Sequence, residues 1–105
     1  MEIHIKNLQK KLHAERGKLT FLQHFAEQRI DWMHACGGKG RCTTCKFEII
    51  EGRQNISEHS PFEEKLRQKN VISSSERLAC QCLPLDDVTI SVPKINQLPH
   101  LNYLD

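Results

Sequence analysis

Five cysteines, unevenly placed, constrain this chain more than any other feature of its 105 residues. Three of them form the pattern Cys36-x5-Cys42-x2-Cys45, and after thirty-four intervening residues Cys80 and Cys82 follow as C-x-C. The N-terminus has an acidic second residue and no apolar core, so it does not resemble a secretory signal. Because reducing compartments keep thiols reduced, an odd number of cysteines here predicts metal binding or redox chemistry rather than a disulfide framework.

The spacing of these cysteines discriminates between the metals that thiolates hold, which are chiefly zinc and iron–sulfur clusters. A structural zinc ribbon normally offers two C-x2-C pairs, whereas this chain has one such pair and a C-x-C pair on a predicted strand. Three ligands from one long loop and a fourth from a distant segment are typical of a [2Fe–2S] cluster. Gly37, Gly38 and Gly40 agree with this, because glycine lets a loop approach a cluster closely and turn its N–H groups toward the sulfurs.

Length and composition predict a single soluble domain over residues 1–105. A chain of this size buries about two-thirds of its unfolded surface, which suffices for one core. The net charge of +2 is too small for a nucleic-acid-binding surface. No apolar run approaches the roughly 20 residues needed to cross a bilayer. We therefore expect a cytoplasmic protein that binds neither nucleic acid nor membrane.

Hydrophobic periodicity predicts an α+β fold in the order β-β-α-loop-β-α-β-β, with helices packed on a mixed sheet. Alternating apolar residues predict a hairpin at 2–15, and helical spacing follows over 19–30 with a cap near Thr20. The cysteine-rich segment 31–45 shows no period. The other predicted elements are a strand at 46–51, a short helix at 62–69 and strands at 77–83 and 88–92.

The segment from Cys36 to Cys45, together with Arg77-Leu78-Ala79-Cys80-Gln81, resembles the [2Fe–2S] ferredoxins of the plant and vertebrate superfamily. The C-x5-C-x2-C spacing is similar to that of the adrenodoxin and putidaredoxin branch, whereas photosynthetic ferredoxins have C-x4-C-x2-C. The resemblance covers essentially the whole chain. It implies the β-grasp fold, a mixed sheet with one main helix and one or two short helices.

The same resemblance implies what the chain binds and does. Cys36, Cys42, Cys45 and Cys80 would be the ligands of one [2Fe–2S] cluster. The Arg-Leu-x-Cys-Gln pattern selects Cys80 over Cys82, which strand alternation does not separate because residues i and i+2 share a face. The implied function is that of a monomeric electron carrier, not an enzyme, working between a flavoprotein reductase and an acceptor such as an oxygenase or a cytochrome P450. Cys82 is then expected to be a small buried thiol with no redox role.

Charged residues in two segments bear on these expectations. Ferredoxins of the adrenodoxin type are typically acidic and dock a reductase through carboxylates on a helix, but the corresponding segment here mixes signs. It carries Glu58, Glu63, Glu64, Lys65, Arg67 and Lys69. In the cysteine loop, Lys39 and Arg41 lie beside an anionic cluster and are expected to stabilise its reduced form.

Two other functions remain open on the sequence alone. One is a zinc-stabilised interaction domain with four cysteine ligands, and the other is a ferredoxin-like subunit of a larger oxidoreductase. A Rieske centre is disfavoured, because it needs C-x-H and C-x2-H pairs and His34 precedes Cys36 in the reverse order. Trp32, beside the end of the first predicted helix, is expected to pack rather than to gate electron transfer.

Overall fold

The computed structural model describes residues 1–15, 17–32 and 45–104. Its strands are β1 (Glu2–Ile5), β2 (Lys10–His13), β3 (Lys46–Glu51), β4 (Glu76–Leu78) and β5 (Val88–Ser91), and its α-helices are α1 (Phe21–Glu27) and α2 (Pro61–Gln68). The five strands form one sheet in the order β2-β1-β5-β3-β4. β1 runs parallel to the central β5, and the other neighbouring pairs are antiparallel. This is the mixed sheet with helices that the sequence predicts.

The first three strands, β1, β2 and β3, lie where the periodicity predicts them. The predicted hairpin becomes β1 and β2, joined by a 3-10 turn in which Gln9 adopts a φ of 53°. β3 has its predicted limits, and Gly52 ends it with a φ of 90°. A Cβ atom at Gly52 would lie 2.7 Å from the carbonyl oxygen of Asp87, so both the conformation and the space require glycine.

Both helices begin with a reciprocal capping box. The Thr20 hydroxyl accepts from the Gln23 backbone N–H at 3.2 Å, and the Gln23 side chain accepts from the Thr20 N–H at 2.8 Å. Ser60 and Glu63 repeat this arrangement at the start of α2, where Pro61 occupies the first turn. Each box satisfies two backbone donors that a helix start otherwise leaves unpaired. The cap expected near Thr20 is thereby confirmed.

The first helix is shorter than predicted. α1 ends at Glu27, and Arg29 then adopts the left-handed conformation with a φ of 58°. The Ile30 N–H donates a hydrogen bond to the Phe25 carbonyl at 2.8 Å. Closure of this kind satisfies carbonyls at a helix end and stops its propagation.

The predicted strand over 77–83 is wrong in its second half. β4 ends at Leu78, and residues 79–81 form a turn in which the Gln81 N–H donates to the Leu78 carbonyl at 2.9 Å. Cys80 therefore lies on a turn and not on a strand.

The hydrophobic core lies between α1 and the sheet. Phe21 and Phe25 are fully buried, and the ring centroid of Phe21 lies 4.8 Å from that of Phe47 on β3. Fully buried aliphatic side chains from three strands complete the contact, namely Ile3, Ile5, Leu78 and Ile90. Within the described part of the chain, no helix is both long enough and apolar enough to cross a membrane.

Candidate metal centre

The structure brings together two of the four predicted cluster ligands. Cys45 lies immediately before β3, and Cys80 lies on the turn after β4, the strand that pairs with β3. Their Sγ atoms are 3.4 Å apart, well beyond the roughly 2.05 Å of a disulfide bond. Both residues are buried. Two thiolates on one tetrahedral metal ion, each at about 2.3 Å, lie roughly 3.8 Å apart, so this pair fits a shared metal ion with only a small adjustment.

The other two predicted ligands, Cys36 and Cys42, lie outside the described residues, as do His34, Lys39 and Arg41. The described residues therefore contain two of the four predicted ligands, Cys45 and Cys80.

The start of α1 holds the turn that carries Cys80. The first N–H groups of a helix have no acceptor within the helix. Here the Leu22 N–H donates to the Ala79 carbonyl at 2.9 Å, and the Phe21 N–H donates to the Cys82 carbonyl at 3.2 Å. The two acceptors flank Cys80, so α1 fixes the backbone on both sides of this cysteine.

The backbone of Cys45 is held from two directions. Its carbonyl accepts from the Ala79 N–H at 3.2 Å and from the indole Nε1 of Trp32 at 3.0 Å. Trp32 also packs as expected, stacked on Phe25 with ring centroids 4.2 Å apart. The hydrogen bond was not predicted, because nothing in the sequence relates position 32 to the backbone of position 45.

A buried ion pair joins α2 to β4 and was also missed. Arg77 donates from Nε and Nη2 to the two carboxylate oxygens of Glu63, at 2.9 and 3.0 Å. The Leu78 and Ser60 N–H groups donate to the same carboxylate at 2.9 and 3.0 Å. Arg77 Nη2 also donates to the Glu58 carbonyl at 3.2 Å. The one available signal was the capping pattern Ser60-x-x-Glu63, which indicates a carboxylate turned toward the helix start.

The surroundings of Glu63 keep it charged. Burial alone would raise its pKa, but the hydrogen bonds from Arg77, Leu78 and Ser60 outweigh burial and leave the pKa of Glu63 below its ordinary value. Because each charge is matched and hydrogen-bonded, the pair is stable in a site where either partner alone would be costly.

Cys82 is separate from this pair. It is fully buried, and its Sγ donates to the Leu78 carbonyl at 3.2 Å. Burial raises the pKa of the Cys82 thiol well above its ordinary value, which keeps the group protonated and poorly nucleophilic. The expectation of a small buried thiol is confirmed.

The acidic residues of α2 do not present an acidic surface. Glu63 is turned inward to Arg77, and Glu64 pairs with Arg67 on the same helix at 2.9 Å. The ion pairs of the fold therefore neutralise two of the carboxylates in this segment of mixed charge.

Comparison with known proteins identifies the family. The sequence model of the protein family called 2Fe-2S iron-sulfur cluster binding domain matches residues 3–85 of this chain. These residues include all five cysteines. The chain belongs to this ferredoxin family. It therefore binds one [2Fe–2S] cluster, as the cysteine spacing predicted, and the buried thiol pair of Cys45 and Cys80 fits such a group.

Relatives and solved structures of this ferredoxin family agree in sequence and in fold. The chain is 41% identical over 64 residues to 2Fe-2S ferredoxin-5 of Aquifex aeolicus, a match covering 59% of this chain and 66% of that protein. It is 38% identical over 81 residues to the phenol 2-monooxygenase reductase component DmpP of Pseudomonas sp. strain CF600, covering 75% of this chain and 21% of that protein. The crystal structure of the ISC-like [2Fe-2S] ferredoxin FdxB from Pseudomonas putida superposes with a TM-score of 0.73 at 25% identity, covering 99% and 95% of the two chains. The β-grasp fold is thereby confirmed.

Proposed function

We propose that this ferredoxin-family chain is a one-electron carrier and has no catalytic reaction of its own. The observation that carries the proposal is the 3.4 Å approach of two buried thiols, Cys45 and Cys80, inside a domain of the cluster-binding family. The cluster, when bound, accepts and releases a single electron. What the chain contributes is a preformed, largely water-excluded pair of sulfur ligands.

The proposed ligand set is Cys36, Cys42, Cys45 and Cys80. Proximity supports the last two, and the loop spacing supports the first two. The positions of the two thiols support the choice of Cys80 over Cys82. Cys82 Sγ donates a hydrogen bond to the Leu78 carbonyl, whereas Cys80 Sγ lies beside Cys45 Sγ.

The proposed partners are a flavoprotein reductase that supplies electrons and an acceptor such as an oxygenase or a cytochrome P450. The relative DmpP supports the first of these classes, since it is the reductase component of a phenol 2-monooxygenase. The matches span 66% or less of the length of both curated relatives, so these partners are inferred for this chain and belong to the proposal. We further propose a single-domain, cytoplasmic monomer, because a carrier has to bind two partners in turn.

A second candidate role is that of a ferredoxin-like subunit in a larger oxidoreductase. It is favoured by DmpP, in which the matching region makes up 21% of a longer protein. Gel filtration of a cell extract distinguishes the two roles, since a free carrier elutes at its own mass of 12.2 kDa and a subunit elutes with its complex.

The visible and EPR spectra before and after dithionite test the proposed function. A brown chromophore that bleaches on reduction and gives an S = 1/2 signal is expected for a [2Fe–2S] carrier. A colourless protein with about one zinc ion per chain would overturn the proposal and leave the zinc-stabilised interaction domain.

Serine substitutions test the ligand set. We expect Cys36→Ser, Cys42→Ser, Cys45→Ser and Cys80→Ser each to prevent normal cluster assembly. Cys82→Ser is the matched control, two residues from Cys80 and equally conservative, and we expect it to leave the spectrum intact. Loss of the spectrum in Cys82→Ser beside an intact spectrum in Cys80→Ser would reverse the assignment.

A further inference from the structure

Trp32 is the only tryptophan of the chain, and it contacts the candidate metal centre directly. Its indole Nε1 donates to the carbonyl oxygen of Cys45 at 3.0 Å. The side chain is 6% exposed, so this hydrogen bond is shielded from water. A shielded hydrogen bond is electrostatically stronger than one in contact with solvent.

The indole ring is held rigidly in place. It stacks on Phe25 with ring centroids 4.2 Å apart and an angle of 26° between the planes. Phe25 belongs to α1, whose Phe21 packs in turn on Phe47 of β3. Because β3 begins at the residue after Cys45, the ring and its acceptor are anchored to the same part of the core. The N–H group is therefore a preorganised donor.

The Cys45 carbonyl receives two donors, one from each side of the site. The Ala79 N–H reaches it at 3.2 Å from the segment that carries Cys80, and the Trp32 indole reaches it from the segment that leads into the cysteine loop. Both N–H dipoles direct their positive ends at the backbone carbonyl oxygen of Cys45, the residue whose sulfur we assign to the cluster. Reduction adds a negative charge to the cluster, so fixed positive dipoles beside a ligand favour the reduced state.

We propose that Trp32 is a positioning residue for the redox centre, whose indole N–H fixes the Cys45 backbone and raises the reduction potential of the cluster. This inference rests on the proposed function, because it takes Cys45 to be a cluster ligand. It goes further in giving Trp32, a residue outside the cysteine motif of residues 36–45, control over the potential.

Removal of the indole N–H without a change of shape is the sharpest test. Since Trp32 is the sole tryptophan, growth of a tryptophan auxotroph on an analogue alters this side chain alone. 3-Benzothienylalanine replaces the N–H by sulfur and keeps the bicyclic ring, whereas 4-fluorotryptophan keeps the N–H and serves as the control. The readout is the midpoint potential from a redox titration followed by EPR.

We expect the benzothienyl protein to have a lower midpoint potential and altered g values, and the fluorotryptophan protein to match the unsubstituted one closely. A benzothienyl protein that folds by circular dichroism but assembles no cluster would also support the proposal, because only the N–H is missing. Equal potentials in all three proteins would overturn it. Absence of a [2Fe–2S] spectrum from the unsubstituted protein would instead overturn the proposed function.

Two genetic variants separate positioning from packing. Trp32→Phe removes the donor and keeps an aromatic ring against Phe25, whereas Phe25→Leu weakens the stack and keeps the donor. We expect both to unfold at lower urea concentration, and Trp32→Phe, which removes the donor, to lower the potential more than Phe25→Leu, which only loosens it. Equal shifts of the potential in the two variants would show that Trp32 acts through packing alone, which contradicts the proposal.

Discussion

At the scale of single residues, the stability of the fold depends on both charges of the buried ion pair between Glu63 and Arg77. Glu63→Gln leaves the Arg77 guanidinium buried without a counter-charge, and such losses cost about 3–5 kcal/mol. We expect a decrease of this size in the free energy of unfolding, measured by urea denaturation of the holoprotein.

A neighbouring pair supplies the control for Glu63→Gln. Glu64 pairs with Arg67 on the exposed face of α2, and exposed pairs contribute less than about 1 kcal/mol. Glu64→Gln should therefore change the urea midpoint little. Equal losses of unfolding free energy in the two variants would mean that burial does not increase the contribution of the Glu63–Arg77 pair to stability.

His24 makes stability depend on pH. It is 4% exposed, and its Nε2 has no hydrogen-bond partner among the residues that the structure describes. Burial lowers the pKa of His24 below its ordinary value of 6.5, although Glu27 and Glu15 act in the opposite direction. The unfolded chain therefore binds a proton at a higher pH than the folded chain does. The resulting stability is present above pH 6.5 and is lost as the pH falls toward the folded pKa.

His24→Gln should reduce this loss, so that the urea midpoint falls less between about pH 7.5 and 5.5 than it does in the parent protein. Some loss remains, because burial also lowers the pKa of His59. His13→Gln, on the exposed face of β2, is the control and should keep the parent slope. A parent-like slope in His24→Gln would contradict the assignment.

At the scale of elements, the start of α1 is the part that connects helix stability to the site. The capping box of Thr20 orders the first turn, whose N–H groups hold the carbonyls of Ala79 and Cys82. Thr20→Ala removes the cap and should cost about 1 kcal/mol of unfolding free energy. Urea denaturation measures this, and Thr20→Ser, which keeps the hydroxyl, should restore most of it. An uncapped variant as stable as the parent would show that packing alone holds α1.

Local patterns predict the elements that local interactions specify. β3, the hairpin and both helix starts follow from alternation, glycine and capping residues within a few positions of each element. The end of β4 does not, because the alternation of Leu78, Cys80 and Cys82 continues while the backbone turns. That turn is stabilised by N–H groups of α1, some sixty residues earlier in the chain. Contacts between distant segments produce no periodic pattern in the sequence, so the sequence does not predict them.

The candidate site also combines features that the sequence predicts with features that it does not. The cysteine spacing predicts a cluster and its ligand residues, since chemistry fixes which residue types can serve. The sequence indicates surface charge for Glu63 and packing for Trp32. It does not indicate their hydrogen-bond partners, Arg77 and Cys45, because the assembled sheet brings these residues together.

At the scale of the whole molecule, sheet order separates the cluster from part of the positive charge. Cys45 and Cys80 lie at the β3 and β4 side of the sheet, whereas the exposed Lys10 and Lys11 lie on β2 at the opposite edge. Three strand spacings of about 4.8 Å separate β2 from β3. That distance exceeds the screening length of roughly 8 Å at physiological ionic strength, so charges on β2 should have little influence on the cluster.

This separation allows a matched test of how charge sets the potential. Lys39 and Arg41 lie in the cysteine loop, and their replacement by glutamine should lower the reduction potential, because positive charge near the cluster favours the added electron. Replacement of Lys10 and Lys11 by glutamine removes the same formal charge and should leave the potential unchanged. Redox titrations at low and high salt measure both, and the shift for the loop pair should shrink as salt increases. Equal shifts in the two double variants would mean that total charge, and not its position in the fold, controls the potential.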